Sequence, residues 1–381
     1  MSKGENLHVY PSPIVNESRI HKQTRSVAES GLFSSVVICG TARQGLPSLE
    51  EFPFDRRVER LGAARAREPS VFARIWRQVT WSRMVYKRFS RSNVSVINAH
   101  SVAVLPVCAL LSRTLGAKLI YDTHELETET VAARGLQGRI FKLIERHFIN
   151  SCDAVFVVNE SIAGWYANRY RGLKPVVVRN IPEAPVLRES FPMRQNLTVP
   201  DGKRLFIHVG NLAESRNIEV ILQAFASPGV DDHVVFLGDG PLIQLVDGYV
   251  SLHKNIHHLP SVSPADVVGR VAACDVGLCL IEPTCRSYEL SLPNKALEYA
   301  MSGLPFFFTD LPEIGNLLGS GMYGWKLADP SRDLVPAIHA LTAPRIAEAK
   351  VSLRGLLLPT WDEESAVMVG KYAELIESRD R

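Results

Sequence analysis

The chain has 381 residues, too many for one ordinary core of about 100–150 residues, so two domains are expected. Its composition, 46% apolar and 22% charged, supports buried cores and excludes wholesale disorder. With 43 basic and 40 acidic residues the formal charge is +3, far below that of a dedicated nucleic-acid binder, so no nucleic-acid partner is expected.

The opening MSKGENLHVY has no apolar run followed by a small-residue cleavage site, which argues against a secretory signal. No stretch reaches the roughly 18–20 uninterrupted apolar residues of a membrane span. The longest candidate, Val94 to Tyr121, is broken by Asn98, His100, Arg113 and Lys118. The six cysteines, Cys39, Cys108, Cys152, Cys274, Cys279 and Cys285, lack the short paired spacing of a zinc site. Reduced thiols in a cytoplasmic protein are the expectation.

Along the first half, β-branched runs fall at Leu7–Tyr10, Ser35–Cys39, Val94–Asn98, Lys118–Asp122, Ala154–Val158 and Pro175–Val178. The second half has Leu205–Val209, His233–Leu237, Ile256–Leu259, Val276–Ile281 and Pro305–Thr309. Helical patterns separate them: Ser263 caps a segment buried through Val267, Val268 and Val271, and Pro293 opens one that ends at Gly303. Continuous apolar strands alternating with helices predict an α/β protein with parallel, doubly wound sheets. Residues 181–203 hold four prolines and few periodic apolar positions, which reads as a linker near the midpoint. Ligands of such sheets sit at the carboxyl ends of the strands.

Residues 55–91 hold eleven basic residues against three acidic ones. Within them, 71–89 spell VFARIWRQVTWSRMVYKRF and place Phe72, Ile75, Trp76, Val79 and Tyr86 on one helical stripe, with Trp81 and Phe89 at its borders. A basic amphipathic helix with aromatic residues suits an anionic membrane surface. A core helix with its stripe inward and its arginines solvated fits the same pattern, and the two readings stand level.

Two clusters in the second half carry chemistry. The turn after LFIHV runs from Gly210 and Asn211 to Arg216, ahead of a stripe at Ile218, Ile221, Leu222 and Phe225. A glycine turn at a helix start can aim N–H groups at an anion, with Arg216 adding a charged contact. On pattern alone a plain turn is the commoner explanation. Further on, Asn294 and Lys295 fall in the first turn after Pro293, with Glu298 one turn later. Lysine opposes the helix dipole there, which suggests an anion between them, and Glu298 could accept the hydroxyls of a ribose. An ordinary surface pair of Lys295 with Glu298 fits the spacing as well. In the first half His124 follows KLIYDT, and His100 ends VSVINAH. Both are candidates on a carboxyl edge, with Asp122 and Glu125 able to orient His124.

HVGNLAESRNIEVILQAF, VVFLGDGP, HLPSVSPADVVGRVAACDVGLCLI and SLPNKALEYAMSGLPFFFTD, in that order, resemble the nucleotide-sugar domain of family 4 glycosyltransferases. The resemblance covers nearly all of residues 205–320. It implies the GT-B fold, two Rossmann-like domains facing across a cleft: an acceptor-side domain at 1–183, a linker at 184–203, a nucleotide-sugar domain at 204–360, and a helix at 361–381 crossing back. It further implies a retaining enzyme without metal or other cofactor, acting from a nucleotide-diphosphate sugar. Glu298 would hold the ribose; Gly210, Asn211, Arg216, Asn294 and Lys295 would surround the diphosphate; His124 and Glu289 would lie near the transferred sugar. Arg19, in the opening helix, and His100 are acceptor-side candidates.

This chain departs from the family where a sugar-contacting glutamate commonly lies seven residues before the ribose glutamate. That place is Leu290, with Glu289 one residue earlier. If residues 71–89 meet an anionic inner membrane, the acceptor is expected to be a lipid-linked glycan, with the protein peripheral at that surface. The rivals are a nucleotide-sugar epimerase of the same fold and a catalytically silent subunit that binds a partner transferase.

Overall fold

The computed structural model describes residues 3–63, 71–133, 135–183, 191–319 and 323–379. They form two units, Met1–Asn180 together with Asp362–Arg381, and Ile181–Trp361.

The first unit begins with β1 (Glu5–Val9), α1 (Ser18–Glu29), β2 (Val36–Thr41), β3 (Leu49–Phe52) and β4 (Arg56–Leu61). It continues through α2 (Val71–Phe89), β5 (Val94–Ala99), α3 (Leu105–Leu115) and β6 (Lys118–Asp122). Then come α4 (Gly135–Phe148), β7 (Ala154–Val157), α5 (Glu160–Arg169) and β8 (Val176–Val177). The sheet order is β3-β4-β2-β1-β5-β6-β7-β8, parallel except for β3. From β1 the chain winds first one way, through β2 and β4, and then the other, through β5 to β8. The reversal lies between β1 and β5, where ligands of doubly wound sheets bind.

The second unit has α6 (Met193–Asn196), β9 (Leu205–Val209), α7 (Ile218–Phe225), β10 (His233–Leu237), α8 (Ile243–Leu252) and β11 (Ile256–Leu259). It goes on with α9 (Pro264–Val271), β12 (Val276–Cys279), α10 (Arg286–Glu289), α11 (Asn294–Met301) and β13 (Phe306–Thr309). Its last elements are α12 (Pro312–Leu318), β14 (Gly324–Leu327), α13 (Pro330–Ala340) and α14 (Ala343–Arg354). The parallel order β11-β10-β9-β12-β13-β14 reverses between β9 and β12. Two apolar layers cover the sheet, one led by Tyr299 and Phe306, the other by Phe206, Phe225 and Phe236. Met193, inside the segment read as linker, is fully buried in the first of these layers. The neighbouring Arg194 pairs with Asp275 at 2.8 Å.

Three strands escape the apolar-run criterion: β3, β4 and β14. In β4, RRVERL, the charged residues point into structure. Arg60 donates to the carbonyls of Pro13, Ile14 and Pro47 and to Glu50, and Arg57 pairs with Glu5 and Glu59. Part of the basic stretch is therefore internal, because a charge with enough partners can be buried.

Of the two readings of the α2 stripe, the one that turned it into the core is corrected. Trp81, Val85 and Phe89 are buried, whereas Ile75, Trp76 and Val79 are exposed. Spacing of four selected the inner seam, and the expected stripe lies on the outer side; Phe72 lies outside the residues whose side chains are described. The last helix, α15 (Trp361–Arg379), gives residues 362–379 to the first unit. There Glu364, Met368, Tyr372 and Leu375 are buried, while Val367 is 52% exposed. All six cysteines are free, four of them buried.

Candidate functional site

In the second unit, β9 ends at Val209 and the chain turns at Gly210 with φ +103°, a conformation that favours glycine. The turn packs against Gly238, where a Cβ would stand 2.0 Å from the Gly210 carbonyl oxygen. The Gly210 N–H donates to Leu237 O and the Leu212 N–H to Asp239 O, both at 2.9 Å. This corrects one expectation: Gly210 supplies a backbone shape, and its N–H is already committed to the neighbouring strand. Asn211 is exposed beside it.

The loop then closes on the end of β12. Asn217, left-handed at φ 53°, donates from Nδ2 to Leu280 O at 3.2 Å, and Glu282 N–H donates to Ser215 O. Arg216 is held between them, its guanidinium carbon 4.5 Å from the centre of the Tyr288 ring, a cation–π contact that orients the fork.

Helix α11 is anchored by Tyr299. Its ring fills the space a Cβ on Gly277 would need, 2.6 Å from ring carbon. Its hydroxyl donates towards Ile207 O and Leu278 O and accepts from Val209 N–H. That fixes the preceding turn. Asn294 is exposed and Glu298 half-buried, but Lys295 is buried, and its Nζ meets His208 Nε2 at 3.1 Å. A surface pair of Lys295 with Glu298 is therefore not what the lysine forms. Burial lowers the Lys295 ammonium to about 8; Arg216 adds to the depression, and Glu298 opposes it. Because Lys295 donates, neutral His208 carries its proton on Nδ1, which is buried beside the Asn211 backbone. His208 was absent from the sequence candidates; its only signal there is a histidine inside an apolar central strand.

In the first unit a second constellation straddles the strand-order reversal. His8 on β1, His100 after β5 and His124 after β6 follow one another. His8 Nδ1 lies 2.8 Å from His100 Nε2, and His100 Nδ1 lies 3.1 Å from His124 Nε2. Asp122 is fully buried, 3.2 Å from His100 Nδ1. Burial alone would raise its carboxyl, but Arg19 and His100 hold it well below the usual range. Burial also lowers His8 well below its ordinary value and His124 to about 3, so both are neutral at pH 7.

The direction of this chain can be derived. The Val96 carbonyl can only accept, so the Asn6 atom 3.1 Å from it is Nδ2, and Asn6 Oδ1 faces His8 Nε2 at 2.5 Å. His8 Nε2 is then the donor and His8 Nδ1 the acceptor, which makes His100 Nε2 a donor. His100 Nδ1 then faces both His124 Nε2 at 3.1 Å and the Asp122 carboxylate at 3.2 Å.

Neither acceptor-side candidate lies open at the surface. Arg19 is 5% exposed; it spends Nε and Nη2 on Asp122 and Nη1 on Val178 O at 2.7 Å. It is a brace between strands. His100, fully buried, relays His8 to His124. Among the described residues, His100, Asp122 and His124 also have donor atoms within 4.8 Å of one another, the spacing of metal ligands. Arg19 supplies a positive charge beside Asp122.

Residues 18–182 match the family model described as Glycosyltransferase Family 4, and residues 203–343 the one described as Glycosyl transferases group 1. The chain belongs to the family 4 glycosyltransferases. A relative of this family 4 chain, N-acetyl-alpha-D-glucosaminyl L-malate synthase of Bacillus anthracis, is 24% identical over 248 residues. That match covers 62% of this chain and 61% of the relative's length. Sucrose-phosphate synthase from Thermosynechococcus elongatus superposes with a TM-score of 0.78 at 14% identity, over 99% of this chain and 100% of that one. Anabaena HepE, in complex with UDP and glucose, gives 0.68 at 13% identity, over 98% of this chain and 100% of that one. These likenesses establish the GT-B fold.

Where many family 4 glycosyltransferases carry a sugar-contacting glutamate, this one has Leu290, 7% exposed. The adjacent Glu289 lies on the surface and pairs with Arg286 at 2.7 Å, both well exposed. An exposed pair of this kind contributes little, and Arg286 holds the carboxylate in place.

Proposed function

We propose that this protein transfers a sugar from a nucleotide-diphosphate sugar to a lipid-linked glycan acceptor, with retention at the anomeric carbon and without a metal ion. The observation that carries the reading is the buried Lys295–His208 pair at the start of α11, with Glu298 one turn on and Arg216 opposite Tyr288. Two cations near the start of a helix suit a diphosphate, and a carboxylate one turn on suits a ribose. Fixed positive charge next to a helix N-terminus stabilises a leaving diphosphate in the way a metal ion otherwise does. Support for the donor class also comes from the fold shared with HepE, whose structure holds UDP and glucose.

In the proposed reaction the anomeric C–O bond to the diphosphate breaks, and the acceptor oxygen bonds to the same face of the carbon. The acceptor proton passes to the departing phosphate oxygen, so no side-chain base is assigned. Lys295 and Arg216 hold the diphosphate, Glu298 the ribose, and His124 a hydroxyl of the sugar.

The acceptor class rests on the outer face of α2, whose arginines and exposed Ile75, Trp76 and Val79 suit an anionic lipid surface. No helix among the described residues is long and apolar enough to cross a membrane, which fits peripheral attachment at the cytoplasmic side. Thermal-shift titration with UDP, GDP and CMP, followed by transfer assays with a nucleotide-sugar panel, tests the reading. No stabilisation by any nucleotide would sink it. Conversion of the sugar with no acceptor present would instead favour an epimerase.

A further inference from the structure

Helices α2, α3 and α4 of the first unit enclose a groove of about 720 Å³, inside the roughly 300–1,000 Å³ typical of small-molecule sites. Its floor and walls are apolar: Ile75 and Val79 from α2, Leu110 from α3, and Ile140, Phe141 and Ile144 from α4. Arg77 and Arg83 line it as well. From Ile75 to Tyr86, the α2 residues along the groove rise about 16 Å, close to the half-thickness of a bilayer's hydrocarbon, about 15 Å.

The charge of these helices is one-sided. Together they hold nine lysines and arginines and a single acid, Glu145. Glu145 faces inward, where it accepts hydrogen bonds from the hydroxyls of Tyr121, Tyr166, Tyr170 and Thr128. The outer surface of all three helices thus carries no carboxylate of their own. Half of the described large apolar residues that are well exposed, seven of fourteen, also lie on these helices, Trp76, Leu136 and Leu143 the most open among them. A protein interface would be expected to shed charge at its centre and be bounded by mixed polarity. Lys142 pairs with Glu129 and Arg88 with Glu59 from neighbouring segments, and the apolar surface beside Arg77 and Arg83 complements a phosphate-bearing lipid.

We propose that the α2–α3–α4 groove binds the hydrocarbon chain of an anionic lipid whose phosphate is held by Arg77 and Arg83 at the groove wall. The surrounding apolar residues then rest in the lipid interface. The inference rests on the proposed acceptor class only for what that lipid carries: the bound chain is the lipid portion of the glycan acceptor, drawn partly out of the membrane.

Titration calorimetry of the full-length protein with dodecyl phosphate, below its micelle concentration, tests this directly. One saturable site is expected, with propyl phosphate at least about tenfold weaker because most of the chain contact is missing. The double substitution Val79→Gln, Ile140→Gln should weaken dodecyl phosphate at least about tenfold while leaving the nucleotide thermal shift unchanged. Arg77→Glu with Arg83→Glu should weaken it as well. Equal affinity for both phosphates would overturn the proposal, because an anion site alone would explain it. So would binding undiminished in the groove variant, or association only with intact phosphatidylglycerol vesicles and no monomeric binding. Chain binding with no transfer to any lipid-linked sugar removes the acceptor reading and keeps the groove. Transfer to such an acceptor without chain binding does the reverse.

Discussion

His124 Nε2 lies 3.1 Å from His100 Nδ1, and the other nitrogen of His100 donates to His8, a direction set by the Val96 carbonyl acting through Asn6 and His8. A residue that reads in sequence as a lone histidine is the end of a relay. The other end is Asn98, which accepts from Asn6 Nδ2 and donates to the buried Tyr372 hydroxyl of the last helix at 2.6 Å.

Asp122→Asn leaves the buried Arg19 guanidinium without its counter-ion. Breaking a buried pair from one side costs roughly 3–5 kcal/mol, to be read as a fall in urea midpoint for the first unit. Arg19→Met with Asp122→Leu removes both charges and should cost much less. If the single and double variants are equally unstable, the ion pair is not the cause.

For donor binding, Glu298→Ala should weaken a nucleotide sugar by roughly 1–3 kcal/mol, the loss for a charged hydrogen-bond partner. Lys295 adds a pH signature. Its ammonium loses its proton at about 8, so affinity for the diphosphate should decline as pH rises through that value. Lys295→Met should bind weakly at every pH. A wild-type affinity that is flat from pH 7 to 9 would remove Lys295 from the site.

Stability should fall as the solution is acidified, through buried neutral histidines. His8 in the first unit and His208 in the second have values well below the ordinary 6.5, chiefly from burial. Below 6.5 the unfolded chain takes up a proton at each while the native protein does not. Stability therefore drops with falling pH, by up to about 1.4 kcal/mol per pH unit per histidine. Thermal unfolding at pH 7 and pH 5 checks this; a midpoint that stays constant or rises towards pH 5 contradicts it.

Much of the architecture was legible because parallel strands buried on both faces must be continuous apolar runs, as in LFIHV and HVVFL, and helices must break them at regular intervals. Strand β4 was not. Its RRVERL pattern is tolerable inside only because Pro13, Ile14, Pro47 and the carboxylates of Glu5, Glu50 and Glu59 gather around its arginines, and all of these but Glu59 come from outside the strand. The same holds for α2. Periodicity found an apolar stripe, but which stripe faces inward is decided by what packs there, Trp81 reaching the Gly40 carbonyl from the buried side.

The sequence by itself determined the α/β class, the order of the motifs and the residue types from which a donor site could be made, because these follow from local pattern and chain order. Tertiary structure alone decided which of those residues are committed elsewhere. Arg19 and His100 turn inward, Gly210 gives its N–H to a strand, and Lys295 meets a histidine 87 positions away. Hydrogen bonds and ion pairs between distant positions leave no periodic trace in a sequence, since each needs only one partner, brought near by the folding of every element between them.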